Sequence, residues 1–277
     1  MYLLSGRAPL LSRSKSKITV GTLYEMGKFQ RIAIAITATI GLCACETGLF
    51  GKVGNGVSVN QEIEVGDFDR ISVCSFVDVY YTQTPDQQSV TLTCDENLVE
   101  YYKIEVKNGE LIVDCKRAFY NKIDTYVTVC SPAIKGVHLS GSGDLYIGKA
   151  LTTDNNFTIE SSGSGDTEIA DITASSATVS LTGSGDAEIG KMTASSAKFK
   201  TSGSGDIEVN EVTAESISVK TTGSGDCYLD CKDSGTLSVE ISGSGDVSIS
   251  GTARAIVDIS LTGSGDFDMS DLILSGE

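Results

Sequence analysis

The chain has 277 residues, 30 of them glycine, with three prolines, no tryptophan, a single histidine (His138) and a formal charge of −16. That length is ample for a large core. The acidic balance argues against DNA or RNA as a partner, because affinity for phosphates comes from clustered Lys and Arg.

Residues 1–25 place a long polar leader before a charged n-region and read as an upstream extension, with Met26 as the natural start. Lys28 and Arg31 precede the apolar run Ile32 to Leu42, which is too short to span a bilayer. Residues 26–44 are therefore expected to be a signal peptide. Leu42-Cys43-Ala44-Cys45 resembles the lipobox of bacterial lipoproteins, and the resemblance implies that Cys45 is acylated and becomes the mature N-terminus. An ordinary signal peptide with two incidental cysteines is the alternative. Loss of residues 1–44 removes six basic residues and one acidic, taking the charge from −16 to −21. Such a surface repels anionic membranes, so attachment would come from the lipid. Residues 45–60, Gly-rich and polar, are expected to form a tether.

Alternating apolar residues begin near residue 61. FDRISVCSFVDVYYTQT carries Ile71, Val73, Val77 and Val79 in strand spacing, and the Pro-Asp of Thr84 to Gln88 marks a turn. VTLTC (Val90 to Cys94) is a further strand, and Asp95 reads as the cap of one or two helical turns. In KIEVKNGELIVDC, Asn108-Gly109 lies between two alternating runs and predicts a type I′ hairpin. YVTVC (Tyr126 to Cys130) closes a β-rich portion that spans 61–135.

From residue 136 to 277 the chain is repetitive. GSGD recurs with its aspartate at Asp144, Asp166, Asp186, Asp206, Asp226, Asp246 and Asp266, at intervals of 22 and then 20 residues. One and three places after each aspartate stand apolar or small residues, such as Ile207 and Val209 or Val247 and Ile249. A second set of apolar pairs precedes each GSG, from Phe157 and Ile159 to Val257 and Ile259. Each unit reads as two short strands and two corners with one apolar face, which only stacked neighbours can bury. The fold class predicted is all-β, a parallel β-solenoid of about 20-residue coils, with a repeat region about 30 Å long at ~4.8 Å per coil.

GSGD is expected to be a corner. Glycine would supply positive φ and make room where stacked corners crowd, and the aspartates would accept backbone N–H groups as structural turn residues. The like-charge column would repel by about 1 kcal/mol per neighbouring pair in water-like surroundings. Calcium sharing the column is the rival reading, but calcium solenoids use a nonapeptide with a doubled glycine, and here the glycine is never doubled. No metal or other cofactor is expected.

No catalytic residues are assigned. The carboxylates recur at equivalent positions in successive coils, whereas an active site would break the repetition. Arg254 is the only arginine in the repeats, and His138 reads as a surface strand residue. Cys227 and Cys231 share one strand face about 13 Å apart when extended, too far for a bridge. Cys227 reads as a small core residue, while pairing of Cys74, Cys94, Cys115 and Cys130 stays open.

GDFDRISVCSFVDVYYTQ, VTLTCDENLVEYYKIEVKNGELIV, the junction YVTVCSPAIKGVHLSGSGDL and the following GSGD coils together resemble the "putative auto-transporter adhesin, head GIN domain" family over residues 61–277. The resemblance implies a single solenoid-like domain in an envelope protein, often a lipoprotein. The function expected is therefore a non-enzymatic, lipid-anchored protein of a Gram-negative outer membrane. It would present a rigid rod for adhesion or scaffolding to a glycan or a surface protein. A carbohydrate- or calcium-binding module is the alternative, and oligomeric state is left open.

Overall fold

The computed structural model describes residues 52–116 and 119–276. The upstream extension, the signal peptide, Met26 and Cys45 lie outside the described residues. Among the described residues, no helix is long and apolar enough to cross a membrane.

Two short strands come first, β1 (Lys52–Val53) and β2 (Ser58–Glu62), followed by β3 (Arg70–Val73), β4 (Asp78–Gln83) and β5 (Ser89–Asp95). A 3-10 helix, Glu96–Tyr101, leads to the hairpin of β6 (Tyr102–Lys107) and β7 (Glu110–Cys115). Then come β8 (Phe119–Tyr120), β9 (Tyr126–Ser131) and β10 (Gly136–Leu139). Long strands fill the repeats: β11 (Leu145–Ser161), β12 (Thr167–Leu181), β13 (Ala187–Thr201), β14 (Ile207–Thr221), β15 (Cys227–Ile241) and β16 (Val247–Leu261). β17 (Phe267–Asp268) and β18 (Leu272–Leu274) end the described chain.

The architecture is a parallel β-solenoid of about seven coils with about 20 residues per turn. The repeats stack in register, as Ile169 on Ile189 and Ile189 on Val209, with register shifts only within the β11–β12, β14–β15 and β15–β16 pairs. The expected pair of short strands is instead one 15-residue stretch per coil, because the Thr-Ala-Ser-Ser corner pairs with its neighbours as a strand does. Seven positions of β13 point inward and are buried, alternating with solvent-facing ones. These inward columns vary in size from coil to coil: Phe157 stacks on Ala177, and Val179 on Phe199. At roughly 1.5–3 kcal/mol per fully buried Val, Leu, Ile or Phe, this stacked interior is the main stabilising term.

The solenoid begins before the repeats do. β3 lies parallel between β10 and β7, and β4 lies parallel between β11 and β9. The first coil is thus assembled from β3 and β4, inside the portion that lacks GSGD. Antiparallel pairs then close this end: β5 with β9, β2 with β5, and β6 with β7. The hairpin turn has φ of 52° at Asn108 and 79° at Gly109, as a type I′ turn requires.

Two local expectations are corrected here. Residues 45–60 were expected to be a tether, but Lys52–Val53 form β1 against β8 and residues 58–60 belong to β2, whose Val59 and Gln61 face Cys94 and Leu92 of β5. Asp95 was expected to cap the helix but makes no side-chain cap bond. Fully buried, its carboxylate accepts the N–H of Gly56 at 2.6 Å, of Lys122 at 2.9 Å and of Ile123 at 3.4 Å. Burial works to raise its pKa, but these donors outweigh that and hold it below the ordinary carboxylate value. Three N–H groups from two loops compete better for the carboxylate than a short 3-10 turn does.

Candidate functional site

The GSGD corners form one edge of the solenoid, and none of their glycines has positive φ. That part of the expectation fails; the reason for glycine is proximity. A Cβ on Gly163 or Gly183 would overlap the carbonyl oxygen of Gly141 or Gly163 in the preceding coil, and one on Gly165 or Gly185 that of Gly143 or Gly165. Ser164 and Ser184 donate their N–H to the carbonyls of Gly141 and Gly163, and Ser204 to that of Gly183, so the corner is a hydrogen-bonded part of the stack.

The aspartates form a ladder. The backbone N–H of Asp166 donates to Oδ1 of Asp144 at 2.9 Å, that of Asp186 to Asp166 at 3.0 Å, and that of Asp206 to Asp186 at 2.8 Å. Asp226, Asp246 and Asp266 continue it at 2.7, 2.7 and 2.8 Å. Each side chain stands in for a backbone carbonyl where the corner interrupts the ordinary pairing. Sequence reading missed its first member, Asp78, whose Oδ1 accepts the N–H of Asp144 at 3.0 Å. Ser75 and Val77 take the places of the two glycines in that coil, with their carbonyls against Gly141 and Gly143. The signal was present in VDVYY, where Asp78 is followed at the inward spacing by Val79 and Tyr81.

Two places after the aspartate, an outward column runs Tyr80, Tyr146, Glu168, Glu188, Glu208, Tyr228 and Ser248. The rings of Tyr80 and Tyr146 stack with centroids 4.9 Å apart at 13°, and Tyr126 meets Tyr80 edge-on at 5.6 Å and 83°. The Tyr146 hydroxyl donates to Oδ2 of Asp144 at 3.0 Å, and that of Tyr228 to Oδ2 of Asp226 at 2.9 Å. Burial first, and then the charges of Asp78 and Asp144, raise the pKa of Tyr80. Hydrogen bonding to Asp226 raises that of Tyr228 to about 12. These phenols remain protonated donors at neutral pH. The result is a part-exposed aromatic cluster beside carboxylates, a surface that can stack and hydrogen-bond at once.

The remaining candidates show no such convergence. His138 lies on the outer face of β10 with 42% of its side chain exposed, its Nδ1 4.0 Å from Glu160. A trough of about 540 Å³ at the corner opposite GSGD is lined by small residues, with Asp233 and Arg254. No three His, Cys, Asp or Glu side chains cluster as a metal site among the described residues. The six described cysteines are free thiols. Cys227 and Cys231 are buried, and burial raises both thiols, Cys231 to about 11.

The family model for "putative auto-transporter adhesin, head GIN domain" matches residues 67–253 and again 197–276. The chain belongs to this family. Its fold is shared by solved structures. One described as a putative adhesin from Bacteroides fragilis NCTC 9343 is 25% identical, with a TM-score of 0.73 over 79% of this chain and 100% of that one. A second, a putative adhesin from Parabacteroides distasonis ATCC 8503, is 21% identical with a TM-score of 0.68 over the same shares, a likeness of fold alone. A third, described as a putative lipid binding protein from Parabacteroides distasonis ATCC 8503, is 25% identical with a TM-score of 0.62, covering 78% of this chain and 98% of that one. No curated protein sequence matches.

Proposed function

We propose that this GIN-domain chain is a non-catalytic protein of the bacterial cell envelope, lipid-anchored through Cys45, that presents the outer face of its solenoid for adhesion or scaffolding. The observation that carries this reading is the tyrosine cluster on the first coils. Tyr80, Tyr126 and Tyr146 meet beside Asp78 and Asp144 on an otherwise polar face. Rings flanked by carboxylates suit a polyhydroxylated glycan, which stacks its apolar face and donates its hydroxyls, or an exposed protein loop. Internal lipid binding is disfavoured, because packed side chains fill the coil interior.

Glycan-array binding and calorimetry with Tyr80→Ala and Tyr146→Ala test the site. Binding should weaken at least tenfold in each variant, with the fold retained by circular dichroism. Protease shaving of intact cells tests the location: a protected protein would overturn surface adhesion and leave an envelope scaffold. Metabolic labelling with a clickable fatty acid, lost in Cys45→Ser, tests the anchor.

A further inference from the structure

The tyrosine cluster is surrounded by charge of one sign. The carboxylates of Asp78, Asp144 and Asp124 all act on the Tyr80 hydroxyl, and Glu168 follows Tyr146 in register on the next coil. Glu188 and Glu208 extend that column as exposed carboxylates until Tyr228 ends it, four coil steps or ~19 Å from Tyr146. The first cation along β11 is Lys149, three residues past Tyr146. Lys191 and Lys232, beside the next corner, are both committed to Glu211 at 2.6 and 3.1 Å. Beyond the Thr-Ala-Ser-Ser corner the character changes: Lys198, Lys200 and Lys220 are exposed there, with Lys200 beside Lys220 in register.

The rings have a place for a cation. Tyr80 covers one face of Tyr146, and the other looks along the column to Glu168, with no ring over it among the described residues. A cation on that face, within ~6 Å of the ring centroid, has the Glu168 position one coil spacing of ~4.8 Å away and draws on ring and carboxylate together. No three of these carboxylates converge as a metal ion requires, among the described residues. Cations carried singly along a chain suit them better.

Two kinds of chain carry cations in that way, a basic polypeptide and a glycan of amino sugars. Same-side residues of an extended peptide recur every ~6.6 Å, out of step with columns ~4.8 Å apart. Each residue of a β-linked sugar chain advances by about one coil step, and its apolar face stacks on tyrosine. We infer that the tyrosine site selects a glycan built of amino sugars with free ammonium groups and turns away acidic glycans. This rests on the adhesive reading above and specifies its ligand.

Calorimetry of the full chain at pH 6 tests it with four probes: a β-linked glucosamine hexamer, its fully N-acetylated form, an oligogalacturonate of equal length, and hexalysine. The amino hexamer should bind at least tenfold more tightly than the acetylated one, an advantage that 0.5 M NaCl largely removes by screening, and the oligogalacturonate should not bind. Tyr146→Ala should weaken the amino hexamer at least tenfold. Glu168→Gln should weaken it about fivefold and leave the acetylated form unaffected; Glu168 is exposed, so the fold is kept. Lys200→Gln, beyond the corner, should change neither. Equal or tighter binding of the acetylated or acidic chain, or indifference to Glu168→Gln, overturns the charge selection and leaves the adhesive site standing. Hexalysine binding as tightly as the amino hexamer overturns the glycan as ligand. Absence of binding by every probe, or binding indifferent to Tyr146→Ala, overturns the site itself.

Discussion

At the scale of single residues, the corner glycines are required by what sits against them. Gly205 has the carbonyl of Gly185 where its Cβ would go, whereas Gly148 has nothing within reach. Gly205→Ala should cost more than about 3 kcal/mol or prevent folding, as overpacking against backbone does. Gly148→Ala should be neutral within about 0.5 kcal/mol. Paired chemical melts measure both. A low cost at Gly205 would mean that the coils can spread. Asp95 is the other residue whose removal reaches beyond itself. Its folded pKa is lowered, so its contribution is present above the ordinary aspartate value of about 3.9 and is lost as pH falls through the folded pKa. Asp95→Ala should destabilise by roughly 3 kcal/mol at pH 7, because three part-buried N–H groups lose a charged acceptor. Its deficit should shrink in melts run below about pH 3.

At the scale of the element, the aspartate ladder joins a favourable hydrogen bond to an unfavourable column of charge. Asp186→Asn keeps an Oδ1 acceptor for the N–H of Asp206 and removes one charge, so its Tm should equal or exceed that of the parent. Asp186→Ala loses the acceptor and should lower stability by about 1 kcal/mol. A larger loss in the Asn variant than in the Ala variant would refute this division. Millimolar calcium should leave Tm flat, since bound metal would raise it saturably. The period of 20 residues, the hairpin at Asn108-Gly109 and the alternation within each repeat were legible in the sequence, because each is a local rule of spacing. Three features were not: the membership of Asp78 in the ladder, the first coil shared between β3 and β4, and the pairing of β2 with β5. They depend on residues far apart in the chain that carry no shared motif. The tyrosine cluster was hidden for the same reason, although Asp-x-Tyr recurs at Tyr80, Tyr146 and Tyr228.

At the scale of the molecule, the two ends of the solenoid differ. Antiparallel strands close the end that holds β2, whereas at the other end residues 255–261 pair with β15 and have no strand on their outer side among the described residues. Val257→Ala at that end should cost well under the about 2 kcal/mol or more of Val239→Ala one coil inward, since Val257 is 63% exposed and Val239 fully buried. Equal losses in paired chemical melts would mean that residues 255–261 are covered.

What the sequence by itself determined was the coil: period, inward alternation and the recurrence of glycine specify a stacked parallel solenoid, because each repeat can bury its apolar face only on a copy of itself. The tertiary structure decided where that stack starts, how it is closed, and which glycines need room rather than positive φ. It also decided that Ile259 and Leu261 lie on the surface although they continue core columns, and that a bulge puts Ile256 rather than Val257 over Leu237. Burial is a property of having a neighbour on both sides, and only the assembled stack shows which positions have one.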